Sequence, residues 1–517
     1  MSGEKYVLAM YDVRGKQDYI FRTNKLKEIV GASWVIRDVF DDYLLKPERD
    51  RSTDQKGIFT YDPAHPEENA FRVAAFEQHI KEGYIGEVVY NGGGNFLLLY
   101  KDAETFRDVT YRFTKRVMEA TGTLRVLGTF VENVSFEDYT ADRARLYARH
   151  RENEARESKT DLWSCLPIVQ VDRKTSMPIV EKDKEGQLTR ESRAKRKKFA
   201  EITEKIRQNP QGTDYYVSKN EKIFDEIVAK KGEDSQLAVI YIDGNNMGAK
   251  VQRATKDMKT YEDCVNQLRK FSATIQKTYV DNGIRNTLST ETDKRFRVVV
   301  YAGDEVNIVV PAGDALGCAR AYLEQLPAGD SACAGIAVFH SHAPYADAYR
   351  IAEEACESGK QKMKAMKLEV ASFIDYHICQ GAMGVSLEKI RESAGTSDMS
   401  LPWMMETKEG GVSGVTSMQD VKRLAGMFQK LGRSNVKGLA DAALNSKTEL
   451  KLELMRIRAH QAEEERKEMT KDWEWLGLGE KDNVDGAQIL QKPEKLIYDV
   501  VTGFDLWFAE KEEGVRV

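Results

Sequence analysis

The stretch that decides the fold is Arg297-Val-Val-Val-Tyr-Ala-Gly-Asp-Glu-Val-Asn-Ile-Val-Val310. Its two arms are rich in valine and isoleucine, which favour β-strands, and Gly303 with Asp304 lies between them as a tight turn. The pattern therefore predicts a β-hairpin that carries two adjacent carboxylates, Asp304 and Glu305, at its tip.

The same hairpin pattern occurs earlier in the chain, as Glu87-Val-Val-Tyr-Asn-Gly-Gly-Gly-Asn-Phe-Leu-Leu-Leu-Tyr100. Each hairpin is preceded by an apolar run that ends in an aspartate, which is Asp12 for residues 5–12 and Asp243 for residues 236–243. The other predicted elements also agree in order and length: 24–44, 102–120, 124–132 and 138–157 in the first copy, and 257–281, 312–327, 332–340 and 346–367 in the second. We interpret this agreement as an internal duplication.

Each copy has the order β-α-β-β-α-β, which is the split-βαβ, ferredoxin-like arrangement of polymerase palm domains. It predicts an antiparallel sheet with helices on one face, in which the end of the first strand meets the central hairpin. This geometry is expected to bring Asp243 beside Asp304. The fold class is therefore α+β, with two tandem palm domains, a polar insertion between them and a C-terminal helical domain. The predicted boundaries are 1–157, 158–235, 236–394 and 395–517.

The acidic residues of the second copy fit the chemistry of nucleotidyl transfer. That reaction needs acidic side chains that hold a divalent metal against a triphosphate, where it neutralises the leaving group. Mg²⁺ and Mn²⁺ prefer carboxylate oxygens. Asp243, Asp304 and Glu305 are therefore the candidate catalytic residues and the candidate metal ligands.

Four further residues of the second copy are candidates for nucleotide binding. Gly303 lets the backbone pass close to phosphates without a Cβ in the way. Asn245 and Asn246 follow the strand-end aspartate and can donate hydrogen bonds to phosphate or ribose. Lys360 lies on the last predicted helix, where triphosphate binding and a solvated helix face are both open interpretations.

The first copy lacks the acidic pair at its hairpin turn, where Gly94 and Asn95 replace it. Only Asp12 remains acidic, so this copy cannot build the same metal clamp. Its turn, formed by Gly92, Gly93, Gly94 and Asn95, could still accept a nucleotide by close backbone approach. One active and one degenerate copy suggest two nucleotides that face each other, the donor in the second copy and the acceptor in the first.

The composition limits the class of protein. The chain of 517 residues is 41% apolar and 31% charged, and no uncharged apolar run approaches the eighteen or so residues of a membrane span. Six scattered cysteines without a Cys-x-x-Cys pair predict reduced thiols in the cytoplasm and no zinc site. Because the net charge is only -5, contact with nucleic acid would need a local patch. The basic run at 193–198 is interpreted as a solvated helix, with RNA contact as the alternative.

The sequence resembles the large palm-polymerase subunit of type III CRISPR effector complexes. The resemblance covers roughly 5–157 and 236–376 and depends on the paired order of its motifs. These motifs are Lys25-Leu-Lys-Glu-Ile-Val-Gly-Ala-Ser33, Tyr90-Asn-Gly-Gly-Gly-Asn-Phe96, Asp243-Gly-Asn-Asn-Met-Gly248, Ala302-Gly-Asp-Glu305 and Cys356-Glu-Ser-Gly-Lys-Gln-Lys362.

In that family the second palm joins ATP into cyclic oligoadenylate, a second messenger made when phage RNA is sensed. The resemblance implies that Asp243, Asp304 and Glu305 bind metal. It also implies that Ser33 and the turn at 92–95 hold the acceptor nucleotide. RNA or CRISPR effector subunits would be the partners, with a homo-oligomer as a further arrangement for the C-terminal helices.

The sequence departs from the family pattern in three places. The family motif is usually Gly-Gly-Asp-Asp, whereas this chain has Ala302-Gly303-Asp304-Glu305, which is nearer to the diguanylate cyclase motif. Many relatives carry an N-terminal His-Asp nuclease domain, but the sequence contains no His-Asp dipeptide, so we expect this form to lack it. The segment at 165–178 keeps one cysteine where relatives often have a zinc element.

The sequence therefore predicts a metal-dependent nucleotidyltransferase that joins ATP into cyclic or linear oligoadenylate in antiviral defence. One alternative is a catalytically inactive palm-fold scaffold that binds RNA or partner proteins in an effector complex. A second alternative is a cyclic dinucleotide synthase that uses GTP, which the Gly-Asp-Glu turn suggests.

Overall fold

The computed structural model describes most of the chain and divides it into two compact units. The described residues are 6–23, 25–52, 54, 56–92, 95–157, 168–184, 186–208, 227, 235–288, 296–381, 384–405, 414–478 and 493–509. The first unit comprises 1–223, 246–282 and 298–306, and the second comprises 224–245, 283–297 and 307–517.

The first copy forms a five-stranded sheet with the strand order β2-β3-β4-β1-β5. Its strands are β1 (Tyr6–Arg14), β2 (Ile58–Phe59), β3 (Gly86–Gly92), β4 (Asn95–Tyr100) and β5 (Arg125–Val134). Its helices are α1 (Lys16–Phe21), α2 (Leu26–Arg37), α3 (Lys46–Arg51), α4 (Val73–Lys81), α5 (Ala103–Thr121) and α6 (Tyr139–Arg156). The central strand β1 is antiparallel to both of its neighbours, β4 and β5.

Both faces of this sheet are buried, because β1 is apolar at six consecutive positions and not only at alternate ones. Leu8 and Met10 point into a core that α4 and α6 also line. On the opposite face, the ring of Tyr11 packs against Phe106 and Phe113 of α5, with ring centroids 5.8 and 5.4 Å apart. The expectation of helices on a single face is therefore wrong for the first copy.

The polar insertion between the copies adds a hairpin and a long helix to the first unit. These elements are β6 (Ile179–Asp183), β7 (Gly186–Thr189) and α7 (Arg190–Gln208). Helix α7 packs along α2 and carries the basic run at 193–198.

Side chains of the basic run form ion pairs with acidic residues of the same unit, and the run is only partly solvated. Lys195 is fully buried and forms an ion pair with Glu191 of its own helix. Arg196 Nε lies 2.9 Å from a carboxylate oxygen of Glu28, which is itself buried. Lys198 also pairs with acidic residues of the first copy. The interpretation of this run as a solvated helix is therefore wrong for these three cations, and their charges are already compensated within the protein.

The second copy repeats the strand order of the first. Its strands and helices are β8 (Gln236–Gly244), α8 (Met247–Lys256), α9 (Tyr261–Ile275), α10 (Gly283–Leu288), β9 (Arg297–Ala302), β10 (Glu305–Pro311), α11 (Ala315–Glu324), β11 (Ala332–His340) and α12 (Tyr345–Ala365). Two added strands, β12 (Phe373–Ile378) and β13 (Trp403–Met404), complete the order β13-β12-β11-β8-β10-β9. The inner order β9-β10-β8-β11 matches β3-β4-β1-β5 of the first copy.

A local feature also occurs in both copies. Each has a short π-helical stretch after its long helix, at Asp41–Leu45 and at Gln276–Asn282. The shared strand order and element order confirm the predicted α+β class with two tandem ferredoxin-like domains.

The rest of the chain is mostly helical, as predicted. The helices are α13 (Leu387–Ser393), α14 (Met418–Gln429), α15 (Arg433–Asn445), α16 (Lys447–Ala459), α17 (Glu463–Trp475), α18 (Pro493–Thr502) and α19 (Phe504–Trp507). Within the described ranges, no helix has both the length and the apolar character needed to cross a membrane.

A buried carboxylate on α18 ties the C-terminal helices to the segment before β13. Asp499 accepts hydrogen bonds from the backbone and hydroxyl of Ser400, at 2.7 and 2.5 Å, and from the backbone of Leu401 at 3.2 Å. The hydroxyl of Tyr376 on β12 donates to the backbone carbonyl of Asp499. Burial raises the pKa of the Asp499 carboxyl to about 7, although the hydrogen bonds from Ser400 oppose this shift.

This shift predicts a pH-dependent stability. In the unfolded chain Asp499 ionises near pH 4, whereas in the folded chain it keeps its proton to about pH 7. The stabilisation is therefore complete below about pH 4 and is lost as the pH rises through 7. We expect the unfolding free energy to fall between about pH 4 and pH 7, with at most about 1.4 kcal/mol per pH unit from this group. Urea unfolding followed by tryptophan fluorescence measures the slope.

The substitution Asp499→Asn should flatten this pH dependence. The matched control is Asp505→Asn on α19, because ion pairs with Arg433 and Lys437 lower the pKa of Asp505 and keep its titration outside this range. An unchanged slope in Asp499→Asn would contradict the assignment.

Candidate active site

Near its end, the central strand of the second copy carries Asp243, whose carboxylate forms an ion pair with a lysine. Asp243 lies one residue before the end of β8, and its backbone partner on β11 is Cys333. The ammonium of Lys360, on α12, lies 2.5 Å from Asp243 Oδ2 and 3.2 Å from the carbonyl oxygen of Gly244. Burial lowers the pKa of Lys360, but the charge and hydrogen bond of Asp243 outweigh burial and raise it. Lys360 is therefore a stable cation on this carboxylate.

The hairpin turn between β9 and β10 carries the other two candidate carboxylates. Gly303 has a φ of +65°, in the left-handed region where a residue with a Cβ is strained. Asp304 follows it, and Glu305 is the first residue of β10. Since β10 is the hydrogen-bonded neighbour of β8 in the sheet, the strand order is the one that the predicted site requires.

The equivalent position in the first copy shows how such a carboxylate is neutralised without metal. The register of β1 and β4 sets Asp12 opposite Asn95, which corresponds to Glu305 in the second copy. Arg14 donates to Asp12 at 2.8 Å, and its other nitrogens reach Glu154 at 2.5 Å and Glu157 at 3.3 Å. The hydrogen bond to Asp12 raises the pKa of Arg14, so the guanidinium is permanently charged. An arginine therefore pairs with Asp12, the one position of the predicted metal-binding pattern that is acidic in the first copy.

The structure describes both ends of the predicted acceptor turn, Gly92 and Asn95. Gly92 ends β3 and pairs with Asn95, the first residue of β4, whereas Gly93 and Gly94 lie outside the described residues. A Cβ at Gly92 would lie 2.4 Å from the hydroxyl of Tyr90 and 3.2 Å from that of Ser272. The two hydroxyls occupy the space that a Cβ at Gly92 would take. Nucleotide binding by this turn stays a prediction.

Two predicted nucleotide contacts occupy different surroundings. Asn245 is buried, and its amide donates to the hydroxyl of Ser331 at 3.2 Å and to the carbonyl of Ala371 at 2.9 Å. The expectation that Asn245 donates to phosphate or ribose is therefore corrected, because the strand end needs its amide hydrogens internally. Asn246 is exposed, has a left-handed backbone and precedes the first residue of α8. Ser33 lies partly exposed on α2.

The described residues contain no group of three or more histidine, cysteine, aspartate or glutamate side chains that could hold a metal ion. The closest partner recorded for Asp243 is instead the lysine of α12. Metal binding by Asp243, Asp304 and Glu305 stays a prediction.

Residues 236–368, from the start of β8 to just beyond α12, match the family described as "Cas10/Cmr2, second palm domain". This segment is therefore similar to the second palm domain of the Cas10/Cmr2 family. It contains every candidate catalytic residue and Lys360. The predicted resemblance to the palm subunit of type III CRISPR complexes is confirmed by this match.

Two solved structures with a TM-score of 0.50 share the fold of this chain. The apo Csm1-Csm4 cassette has a TM-score of 0.50 and 12% sequence identity, over 98% of this chain and 70% of that chain. The Csm1-Csm4 subcomplex in the type III-A CRISPR-Csm interference complex has a TM-score of 0.50 and 13% identity, over 97% and 70%. A Csm1-Csm4 cassette in complex with cA4 has a TM-score of 0.49 and 13% identity, over 97% and 70%. No curated protein matches the sequence.

Sequence reasoning missed the cations that neutralise the two strand-end aspartates. Alignment of α6 of the first palm with α12 of the second palm at Tyr139 and Tyr345 sets Glu154 against Lys360. The helix supplies an anion in the first palm, where Arg14 is the cation, and a cation in the second palm. This reversal of charge between Glu154 and Lys360 is the sequence signal that could have predicted the two ion pairs.

The ion pair in the second palm should be measurable by a double-mutant cycle with Asp243→Asn and Lys360→Met. Both side chains are less than a third exposed, at 29% and 16%, so solvent screens the pair only in part. We expect a coupling free energy of about 1–3 kcal/mol from urea unfolding. The matched control is Glu357→Gln with Lys364→Met, a pair on the same helix that is 3.9 Å apart and exposed. Its coupling should be near zero, and equal couplings for the two pairs would refute the prediction.

Proposed function

We propose that this chain is a metal-dependent nucleotidyltransferase that joins ATP into cyclic or linear oligoadenylate in CRISPR-type antiviral defence. The observation that carries the proposal is a segment similar to the Cas10/Cmr2 second palm domain that has Asp243 at the end of β8, Asp304 in the hairpin turn and Glu305 as the first residue of the neighbouring β10. The reaction would be the attack of a ribose hydroxyl on the α-phosphate of ATP, with pyrophosphate as the leaving group.

The donor atoms at Asp243 fit a hard divalent cation. The ammonium of Lys360 lies between a carboxylate oxygen of Asp243 and the carbonyl oxygen of Gly244, so this position stabilises positive charge through oxygen atoms alone. We propose that Asp243, Asp304 and Glu305 would hold Mg²⁺ or Mn²⁺, both of which prefer such ligands. When bound, the metal would supply charge neutralisation for the triphosphate and activation of the attacking hydroxyl.

The remaining residues of the second palm would bind and orient the triphosphate. Lys360 carries a permanent positive charge on a flexible side chain. Its ammonium would leave Asp243 and pair with a phosphate oxygen instead. Helix α8 has no side-chain hydrogen bond at its N-terminus, so the first backbone N–H groups after Asn246 are directed towards the space before the helix. Gly303 offers the phosphates a backbone without a Cβ.

The first palm would hold the acceptor nucleotide and take no part in the chemistry. Arg14 already pairs with Asp12, the carboxylate at the end of the central strand of this palm. Ser33 and the turn from Gly92 to Asn95 remain its proposed contacts. CRISPR effector subunits would be the protein partners, because a solved structure of this fold is a subcomplex of the type III-A interference complex.

A scaffold subunit without activity is the second candidate, and one observation favours it. Asp243 is already neutralised by Lys360. If the ion pair persists when ATP binds, the second palm would bind nucleotide or partners without reacting.

The purified chain, incubated with each nucleoside triphosphate and Mg²⁺ or Mn²⁺, with and without RNA, should form oligoadenylate from ATP. Mass spectrometry identifies the products and a pyrophosphate assay gives the rate. The double substitution Asp304→Ala with Glu305→Ala should lower that rate at least about a hundredfold, because charge stabilisation at the transferring phosphate is lost.

The control variant is Glu324→Ala, which removes an exposed carboxylate on α11 of the same palm. It should keep the activity of the unmodified chain. Products from GTP alone would identify a cyclic dinucleotide synthase, and the absence of product in every condition would favour the scaffold.

A further inference from the structure

Helix α9 belongs to the second copy by sequence but packs in the first unit, against the first palm. Its apolar face, which includes Cys264, Val265 and Leu268, lies in the same core as Leu8 and Met10 of β1. The helix therefore covers part of the sheet of the first palm.

The same helix has a polar face whose members all bond to the backbone of the first palm. Glu262, Asn266, Arg269 and Ser272 are spaced by four, three and three residues, so they share one side of the helix. Glu262 accepts from the backbone of Val73 at 2.8 Å. The amide of Asn266 both accepts from and donates to the backbone of Phe71, at 2.7 and 2.9 Å. These bonds fix the first half of the helix against the segment that leads into α4.

Arg269 makes the central contact of this polar face. It is fully buried and donates to the carbonyls of Val88 at 2.5 Å, Val89 at 3.1 Å and Asn69 at 2.9 Å. It also forms an ion pair with Glu87, which is 3% exposed, at 3.1 Å. The pairing of β3 with β4 shifts register between Val88 and Tyr90, so Arg269 binds the backbone of β3 at a β-bulge.

The edge of β3 explains why a helix bonds there. The outer neighbour β2 pairs with β3 only at Gly86 and Glu87. Beyond Glu87, the carbonyls of this edge would otherwise be left without a strand partner, which is costly when they are buried. The side chains of α9 supply the missing donors.

The last contact of the polar face reaches the predicted acceptor turn. The hydroxyl of Ser272 donates to the carbonyl of Asn91 at 2.8 Å, one residue before Gly92. The hydroxyl of Tyr90 lies against the same glycine. Burial raises the pKa of Tyr90 to about 12, and two neighbouring tyrosines and the negative charge of Asp304 add to that shift. The start of the acceptor turn therefore lies within electrostatic range of the catalytic hairpin.

We infer that the polar face of α9 positions the start of the acceptor turn of the first palm, at Asn91 and Gly92, and that Ser272 is the positioning residue there. This inference rests on the proposed function, since it assumes that the turn holds the acceptor nucleotide. Because Glu262, Asn266 and Arg269 anchor the helix to the backbone of the first palm, Ser272 can fix the position of Asn91, next to Gly92. The acceptor class is an adenylate with a free ribose hydroxyl.

Ser272→Ala tests the inference, with Thr274→Ala as the matched control on the same helix. Thr274 is exposed, and its hydroxyl bonds to the carbonyl of Lys270 within the helix. The probe is a linear adenylate dinucleotide, whose binding is measured in a chain that also carries Asp304→Ala and Glu305→Ala, so that nothing reacts. Ser272→Ala should weaken binding about three- to tenfold, the loss expected for one hydrogen bond, and Thr274→Ala should leave it unchanged. Thermal melting checks that both variants fold.

In the otherwise unmodified chain, Ser272→Ala should raise the KM for the dinucleotide as acceptor and leave kcat and the KM for ATP as donor unchanged. Gly92→Ala should act in the same direction, because its Cβ would meet Tyr90 and Ser272. Equal dinucleotide binding by Ser272→Ala and Thr274→Ala overturns the inference, as does no binding by either. Failure of the proposed function gives a different pattern, in which no product forms although binding depends on Ser272.

Discussion

Each palm is built around a central strand that is buried on both faces, and this constraint decides where its acidic residue can lie. In β1 the six residues before Asp12 are at most 5% exposed, and in β8 the six residues before Asp243 are at most 6% exposed. A carboxylate within such a strand would lose its hydration without compensation. The end of the strand, where side chains regain contact with solvent, is the position that tolerates one. The location of the candidate chemistry therefore follows from the burial of the strand.

A carboxylate at the end of a buried strand still needs a positive partner, and the two palms supply different ones. Arg14 uses its planar guanidinium to engage Asp12, Glu154 and Glu157 together, which makes a closed network. Lys360 offers Asp243 a single ammonium on a flexible side chain. A network of three carboxylates around one arginine resists exchange, whereas one lysine can move to a phosphate. The two palms therefore differ in the cation at the strand-end aspartate as well as in the acidic turn.

The sequence was sufficient to predict the features that depend on local patterns. The two hairpins, the order of the elements and the strand-end aspartates were predicted correctly, because strand propensity, turn chemistry and repetition all occur within short segments. The contacts that depend on packing between distant segments were not predictable. The basic residues around Lys195 were expected to face solvent, and Asn245 was expected to face a nucleotide. In both cases a partner far away in sequence determines where the side chain points.

Helix α9 shows that the boundaries of the two copies in sequence differ from those of the packed units. Its polar face bonds mostly to backbone carbonyls and N–H groups, which every residue has, so no sequence pattern marks the partners. The ion pair of Arg269 with Glu87 nevertheless makes the association obligatory. Without α9, Glu87 would keep only His79, 3.0 Å away, as a partner, and the edge of β3 would lose its donors. The core around Leu8 would also lose the apolar face of the helix. The two copies therefore share a strand order but are not independent, because the first palm packs against a helix that the second copy encodes.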